Sequence, residues 1–184
     1  MNNKIGLCTV DGKEDIYMET YTGKYVTPLN LKYEDISIID IAHHLSLICR
    51  FNGACREFYS VAQHSLFVSY LMPKEDKLTA LLHDASEAYM ADVIRPIKYS
   101  IPELKKIEDR IAVRILAKFE CFGVDWEAIK RADNIMLATE VRDLMKRMDG
   151  WYLPEPPMDE EVIPWSSYLA EKAFLDMFHN ITNK

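Results

Sequence analysis

At 184 residues, 49% hydrophobic and 28% charged, the chain has the size and balance of one globular domain, which argues against a disordered chain or a fibre. Its 22 lysines and arginines against 29 acidic residues leave a net charge of −7, the wrong sign for non-specific binding to nucleic acid or an anionic membrane. The longest run without Asp, Glu, Lys or Arg covers residues 58–73, 16 positions that include Gln63 and His64, too short and too polar for a membrane span.

The N-terminal stretch MNNKIGLCTVDGKED lacks the apolar core of a signal peptide, so a cytoplasmic protein is expected. Four cysteines, Cys8, Cys49, Cys55 and Cys121, form no CxxC pair and argue against a disulfide frame or a cysteine-bound zinc. Residues 1–34 read as an extension, in which IYMETYTGKYVTPL has two Tyr/Thr/Val-rich runs about Thr22-Gly23, the composition of a small β-hairpin. From Ser37 the pattern becomes helical. Ile41, Leu45 and Ile48 lie on one face of a helix ending near Cys49, and Asn52-Gly53 marks a turn. Ser60 and Gln63 form a capping-box pair that starts a second helix, closed by Pro73. A third helix is predicted from about Asp76 to Met90 on the apolar stripe Leu78, Leu81, Leu82 and Ala85, and Pro96 then interrupts.

Ser100 and Pro102 predict the next start, Leu104, Ile107, Ile111, Ile115 and Phe119 its apolar face, and Gly123 its end. Asp125 can cap a helix running from Trp126 almost to Gly150. PEPP at 154–157 is a stiff connection, and Pro164 with Ser166 opens a last helix through Leu169, Ala173, Phe174 and Phe178. The expected fold is all-α, about six helices with a small N-terminal β-hairpin.

Few residues can carry chemistry. His64 falls mid-helix, His83 and Asp84 are adjacent in LLHDASEAYM, and Asp133 lies in KRADNIMLATE. Imidazole nitrogen with carboxylate oxygen suits divalent zinc, manganese, cobalt, nickel or iron. Taken singly, each has an ordinary role: a hydrogen-bonded core histidine, a carboxylate that orients His83, a surface aspartate. Their apolar neighbours Leu81, Leu82, Ala85, Ile129 and Met136 make burial of the carboxylates expensive without a counter-charge. One cation at a meeting point of His64, His83, Asp84 and Asp133 would offset that cost.

His64, His83-Asp84 and Asp133, each expected on its own helix, resemble the ligand pattern of the HD-domain metal-dependent phosphohydrolase superfamily. HDASEAYMADVIRPIKY (83–99) closely resembles the matching stretch of bacterial HD-domain 5′-deoxynucleotidases. LSLICRFNG before REFYSVAQH resembles prophage and phage HD phosphohydrolases, a group similar to dATP triphosphohydrolases. The resemblance covers roughly 35–145 and implies one HD phosphohydrolase domain over 35–184.

It further implies His64, His83, Asp84 and Asp133 as ligands of a single divalent metal, and Asp84 and Glu87 as the catalytic carboxylates. Arg50 matches the arginine that contacts the substrate phosphate, Asp92 an aspartate at the sugar, and Lys98 a phosphate-binding or structural lysine. Phe51 departs from the monophosphatases, which carry tryptophan there, and this bears on selection of deoxyribose over ribose. Glu140, seven residues after Asp133, shares its helical stripe; it either reaches the pocket or pairs with Arg142 or Lys146. No histidine lies between His83 and His179, so a second metal, and with it a cyclic-nucleotide phosphodiesterase, is not expected. His43, His44 and His179 read as structural or surface residues.

The implied substrate is a small nucleotide, first a deoxynucleoside 5′-monophosphate. The alternative on the same site is a deoxynucleoside triphosphate losing triphosphate, for which Arg56 and Arg95 are candidate charges. A non-catalytic nucleotide-binding HD module is the alternative of another class, disfavoured because the ligands and Glu87 are all present. A homo-oligomer is expected, without nucleic-acid or membrane partners.

Overall fold

The computed structural model describes residues 8–10, 13–15, 17–146 and 149–183. Much of the stretch MNNKIGLCTVDGKED, residues 1–7, 11 and 12, and the Cys8 thiol lie outside the described residues; Cys49, Cys55 and Cys121 are free thiols. Two hairpins precede the helices: β1 (Cys8–Val10) with β2 (Lys13–Asp15), and β3 (Met18–Glu19) with β4 (Tyr25–Val26), both antiparallel. The second is the predicted one, in register Met18↔Val26, and Gly23 supplies the positive φ of +81° that its loop requires. β1–β2 went unpredicted.

The rest is helical: α1 (Ile38–Leu47), α2 (Val61–Tyr70), α3 (Lys77–Leu81), α4 (Glu87–Met90), α5 (Arg95–Ser100), α6 (Pro102–Lys118), α7 (Trp126–Leu144) and α8 (Ser167–Thr182). The expected all-α fold with a small hairpin stands. Helix starts follow their caps: Ser37, Ser60, Asp125 and Ser166 each accept a backbone N–H from three residues on. Among the described residues, no helix is long and apolar enough to cross a membrane.

α2 is the central strut. It packs on α1, α3, α7 and α8, and eight of its ten residues are buried. Ala62 and Leu66 join the larger core with Ile41, Leu45, Leu81, Ile115 and Phe174, while Val68 joins a second cluster with Tyr59, Ile129 and Met136. A helix buried all round must satisfy its polar groups internally. Gln63 does so by donating to the Ile163 carbonyl at 2.8 Å and accepting from the Trp165 N–H at 2.9 Å, which straps the 161–166 segment to α2.

Four predicted boundaries are corrected. The single helix over 76–90 is two, because residues 82–86 tighten into turns such as Ala85 N–H to Leu82 C=O at 3.0 Å and Glu87 N–H to Asp84 C=O at 3.0 Å. Pro96 opens the short helix α5 rather than only interrupting the chain, since its missing N–H is harmless in a first turn. Ser100 does not cap α6; its hydroxyl donates back to the Pro96 carbonyl at 2.8 Å. α7 stops at Leu144, whose carbonyl accepts the Arg56 N–H at 2.9 Å.

Ala91 follows α4 with φ +70° and ψ 163°, a region favourable to glycine alone. Substituting Ala91→Gly is expected to stabilise the fold by about 1 kcal/mol through relief of that strain, net of the added chain entropy. Urea denaturation followed by circular dichroism measures it; an equal or lower midpoint contradicts the strained assignment.

Candidate metal centre

The site forms where α2, the 82–86 turn and α7 meet. His64 projects from α2 and is completely buried. Its Nδ1 lies 2.7 Å from Glu140 Oε1, and its Nε2 lies 3.3 Å from Asp133 Oδ1 and 3.6 Å from Asp84 Oδ2. His83 donates from Nδ1 to the Ala80 carbonyl at 2.7 Å and brings Nε2 within 3.2 Å of the same Asp84 oxygen. That imidazole bond draws on a carbonyl of the helical ladder and coincides with the break after α3. His83 and Asp84 therefore stand on a turn rather than inside the helix expected over 76–90.

Among the described residues, neither His64 Nε2 nor His83 Nε2 has a hydrogen-bond partner, although both atoms are buried. Such atoms are costly unless something ligates them. Donor atoms of His64, His83 and Asp133 all lie within 4.8 Å of one another, so this group can hold a metal ion. Bonds of about 2.0–2.2 Å to one ion place its ligand atoms about 3–4 Å apart. The ring bonds to Glu140 and Ala80 leave each Nε2 facing inward, the orientation outer partners commonly give metal-binding histidines. The residues present therefore fit a divalent cation.

Electrostatics agree. Burial and Arg50 press the His64 pKa down, but the carboxylates of Glu140 and Asp133 prevail and raise it to about 9. Burial would raise Asp84, yet His83 and His64 hold it well below the usual carboxylate range. Asp133 is depressed likewise against burial, by His64, His83 and Lys130, whose ammonium lies 2.6 Å from Asp133 Oδ2. Glu87 goes the other way: burial first, then Asp84 and Asp92, push its proton affinity well up. Its Oε2 is buried without a partner, and Oε1 is 3.7 Å from Lys98 Nζ.

The remaining candidates line one cavity of about 640 Å³ beside this cluster. Arg50 is placed by a backbone clasp in which its N–H donates to the Tyr59 carbonyl at 2.9 Å and Val61 N–H donates to Ile48. Its Nη1 lies 3.6 Å from Asp84 Oδ2, and Nε donates to Glu140 Oε2 at 3.1 Å. Phe51, Asp92 and Lys98 line the same cavity, although the Lys98 ammonium is already paired with Glu108. Arg95 lines it; Arg56 does not.

His43 and His44 are structural as expected. His43 stacks on Tyr21 at 3.6 Å and pairs with Glu171, while His44 bridges the Ala88 carbonyl and the Tyr21 N–H.

Three participants were missed or undervalued in the sequence. Glu140 does not pair with Arg142, which binds Asp143 and the carbonyls of Met158 and Glu160; it is completely buried against His64, Arg50 and Tyr59. Its offset of seven from Asp133 was the only signal. Tyr59 and Trp151 had none. Trp151 lines the cavity and meets the Phe51 ring edge-on at 5.9 Å between centroids.

Fold and site together define an all-α protein with a His/Asp group, buried at His64 and partly buried at His83 and Asp133, able to hold a metal ion. No family model matches the chain. It is 40% identical over 171 residues to the uncharacterized protein YfdR of Escherichia coli K12, covering 90% of this chain and 96% of that protein. Over 108 residues it is 38% identical to an uncharacterized protein of Rhodobacter capsulatus, 53% of this chain and 55% of the other. The chain belongs to the family of YfdR.

A cation must displace the His64 proton, because imidazole ligates through its lone pair. Metal titration at pH 7.5 is therefore expected to release about one proton per ion, the release fading as pH rises through about 9. Calorimetry in buffers of different ionisation enthalpy reads the proton count; release independent of pH over 7–10 overturns the assignment.

Proposed function

We propose that this chain is an HD-type, metal-dependent nucleotide phosphohydrolase, acting on deoxynucleoside 5′-monophosphates. The observation that supports it most is the pair of buried imidazole nitrogens that face Asp84 and Asp133 with no hydrogen bond among the described residues. Beside them, the cavity carries a largely buried arginine and a carboxyl group of raised proton affinity. The motif HDASE with Asp92, Pro96 and Lys98 at the family's spacing adds to it.

His64, His83, Asp84 and Asp133 would hold one divalent ion. When bound, such an ion supplies Lewis-acid polarisation of water and of a phosphoryl oxygen. Manganese, cobalt, zinc, nickel and iron all suit the N/O donor set.

Arg50 binds the phosphoryl group through Nη1, the guanidinium nitrogen not engaged by Glu140. Glu87 takes the proton of the attacking water at its free Oε2 and returns it to the leaving 5′ oxygen. The new bond joins water oxygen to phosphorus, and the P–O5′ bond breaks. Asp92, in the cavity wall, accepts from the sugar hydroxyl. Phe51 and Trp151 provide its aromatic side. Lys98, tied to Glu108 and 3.7 Å from Glu87, steadies that carboxyl more than it neutralises phosphate.

Arg95, Lys105 and Lys130 line the same cavity and favour a second reading, a deoxynucleoside triphosphate cleaved at its α-phosphorus. A nucleotide panel with Mn²⁺ or Co²⁺ separates the two: phosphate from monophosphates, or inorganic triphosphate from triphosphates. Glu87→Gln is expected to lower kcat by about 100-fold or more while divalent binding persists, and Arg50→Ala to raise KM about tenfold or more. Nucleotide binding without turnover under every metal leaves only a binding module. Unchanged kcat in Glu87→Gln removes Glu87 from the chemistry.

A further inference from the structure

We infer that Glu140 is the positioning residue that couples the metal half of the site to its phosphate half. This deepens the function proposed above and rests on it. Glu140 is completely buried on α7, seven residues beyond Asp133, and touches neither the cavity nor the candidate ligand atoms that face it.

Its two oxygens divide the work. Oε1 accepts from His64 Nδ1 at 2.7 Å and from the Tyr59 hydroxyl at 2.9 Å. Oε2 accepts from Arg50 Nε at 3.1 Å, with Nη2 also at 3.1 Å. A carboxylate has about four lone-pair sites, and here it accepts three hydrogen bonds beside the Nη2 ion-pair contact.

Each half has a consequence for the cavity. With the Nδ1 hydrogen of His64 committed to Glu140, Nε2 is the ring atom left to meet a cation. With Nε and Nη2 of Arg50 committed, the guanidinium plane is fixed and Nη1 is left toward Asp84 and the cavity. One buried group thus aims both the ligand and the phosphate-binding cation.

Glutamine cannot replace it. An amide has one acceptor oxygen and two N–H donors, whereas His64, Tyr59 and Arg50 all donate to Glu140. If the amide nitrogen faces His64, Nδ1 must become the acceptor and the ring hydrogen is held on Nε2, the atom a cation needs free. If it faces Arg50, donor meets donor and the guanidinium swings away.

The test measures binding rather than turnover. Co²⁺ is titrated into metal-free protein by calorimetry, and inorganic phosphate separately into metal-free protein. Glu140→Gln is expected to weaken Co²⁺ by about 10–100-fold and phosphate by about tenfold or more. Arg50→Ala is expected to lose phosphate and hold Co²⁺ within about twofold, which a general loss of packing would not reproduce. Circular dichroism checks that each variant is folded. Glu140→Asp, which keeps the charge and draws the oxygens back by one methylene, gives the same double loss where Glu140→Gln does not fold.

A folded Glu140 variant that keeps wild-type affinity for both probes, or loses only one, overturns the coupling and leaves the proposed function standing. A wild-type protein that binds no divalent ion overturns the proposed function and the coupling with it.

Discussion

His64 is buried to the last atom, yet it lies between carboxylates: Glu140 at one ring nitrogen, Asp133 and Asp84 at the other. Isolated charges of this kind are too expensive to bury, so positive charge must reach the same interior. The fold meets that demand from three directions. α2 brings the imidazole, the Arg50 clasp brings a guanidinium, and the 82–86 turn brings a second imidazole whose Nδ1 is satisfied by Ala80. The shape of the middle of the molecule follows from this requirement. A regular helix over 82–86 would carry His83 and Asp84 on in ladder register, and the break instead lets both side chains turn toward His64. α7 must pass close enough to α2 for Asp133 and Glu140, two turns apart, to straddle the ring.

The elements that sequence made legible are those governed by neighbours along the chain. Ser60 with Gln63, Asp125 and Ser166 mark helix starts because a cap is a contact across three residues, and the apolar periodicity of α6 and α8 needs no partner to be read. Elements that depend on distant contacts were not legible. The stripe Leu78, Leu81, Leu82 and Ala85 continues through the break because those side chains meet the core in either geometry. α7 ends where Leu144 meets Arg56, 88 positions earlier in the chain, so nothing local forecast the last turn.

The candidate site divides along the same line. The histidines and aspartates could be picked out by residue type and spacing, since few other side chains combine as ligands for such ions. Glu140 looked like one more helical carboxylate, because its partners lie 76 and 90 residues away in sequence. Trp151 follows a glycine and precedes PEPP, a setting typical of a loop, and only the closure of 149–166 over α7 brings it to Phe51. Met158 N–H to Thr139 and Val162 N–H to Asp143 hold that closure. Side-chain chemistry was visible; the paths that bring it together were not.

Backbone strain follows the cavity as well. Among the described residues, five non-glycine residues have positive φ: Phe51, Asn52, Ala91, Glu120 and Asn183. The last two stand just past the ends of α6 and α8, where a left-handed residue is a common way to stop a helix. Phe51 and Asn52 stand at no such end, and Ala91, though it follows α4, has a ψ of 163° that lies outside the left-handed region. Phe51 and Asn52 turn the chain directly after Arg50, with ψ of 29° and 35°, and bring the Phe51 ring under that guanidinium at 5.2 Å. Ala91 turns it directly before Asp92. Each such residue costs of order 1–3 kcal/mol unless its surroundings compensate, a large part of what holds a domain folded. At Arg50–Phe51 the surroundings are visible: the ion pair to Glu140 and the backbone clasp to Tyr59 hold the strained turn where it is. The strain is thus borne by the same buried group that orients His64, so that loosening Glu140 would release both the ring and the wall of the cavity that faces it.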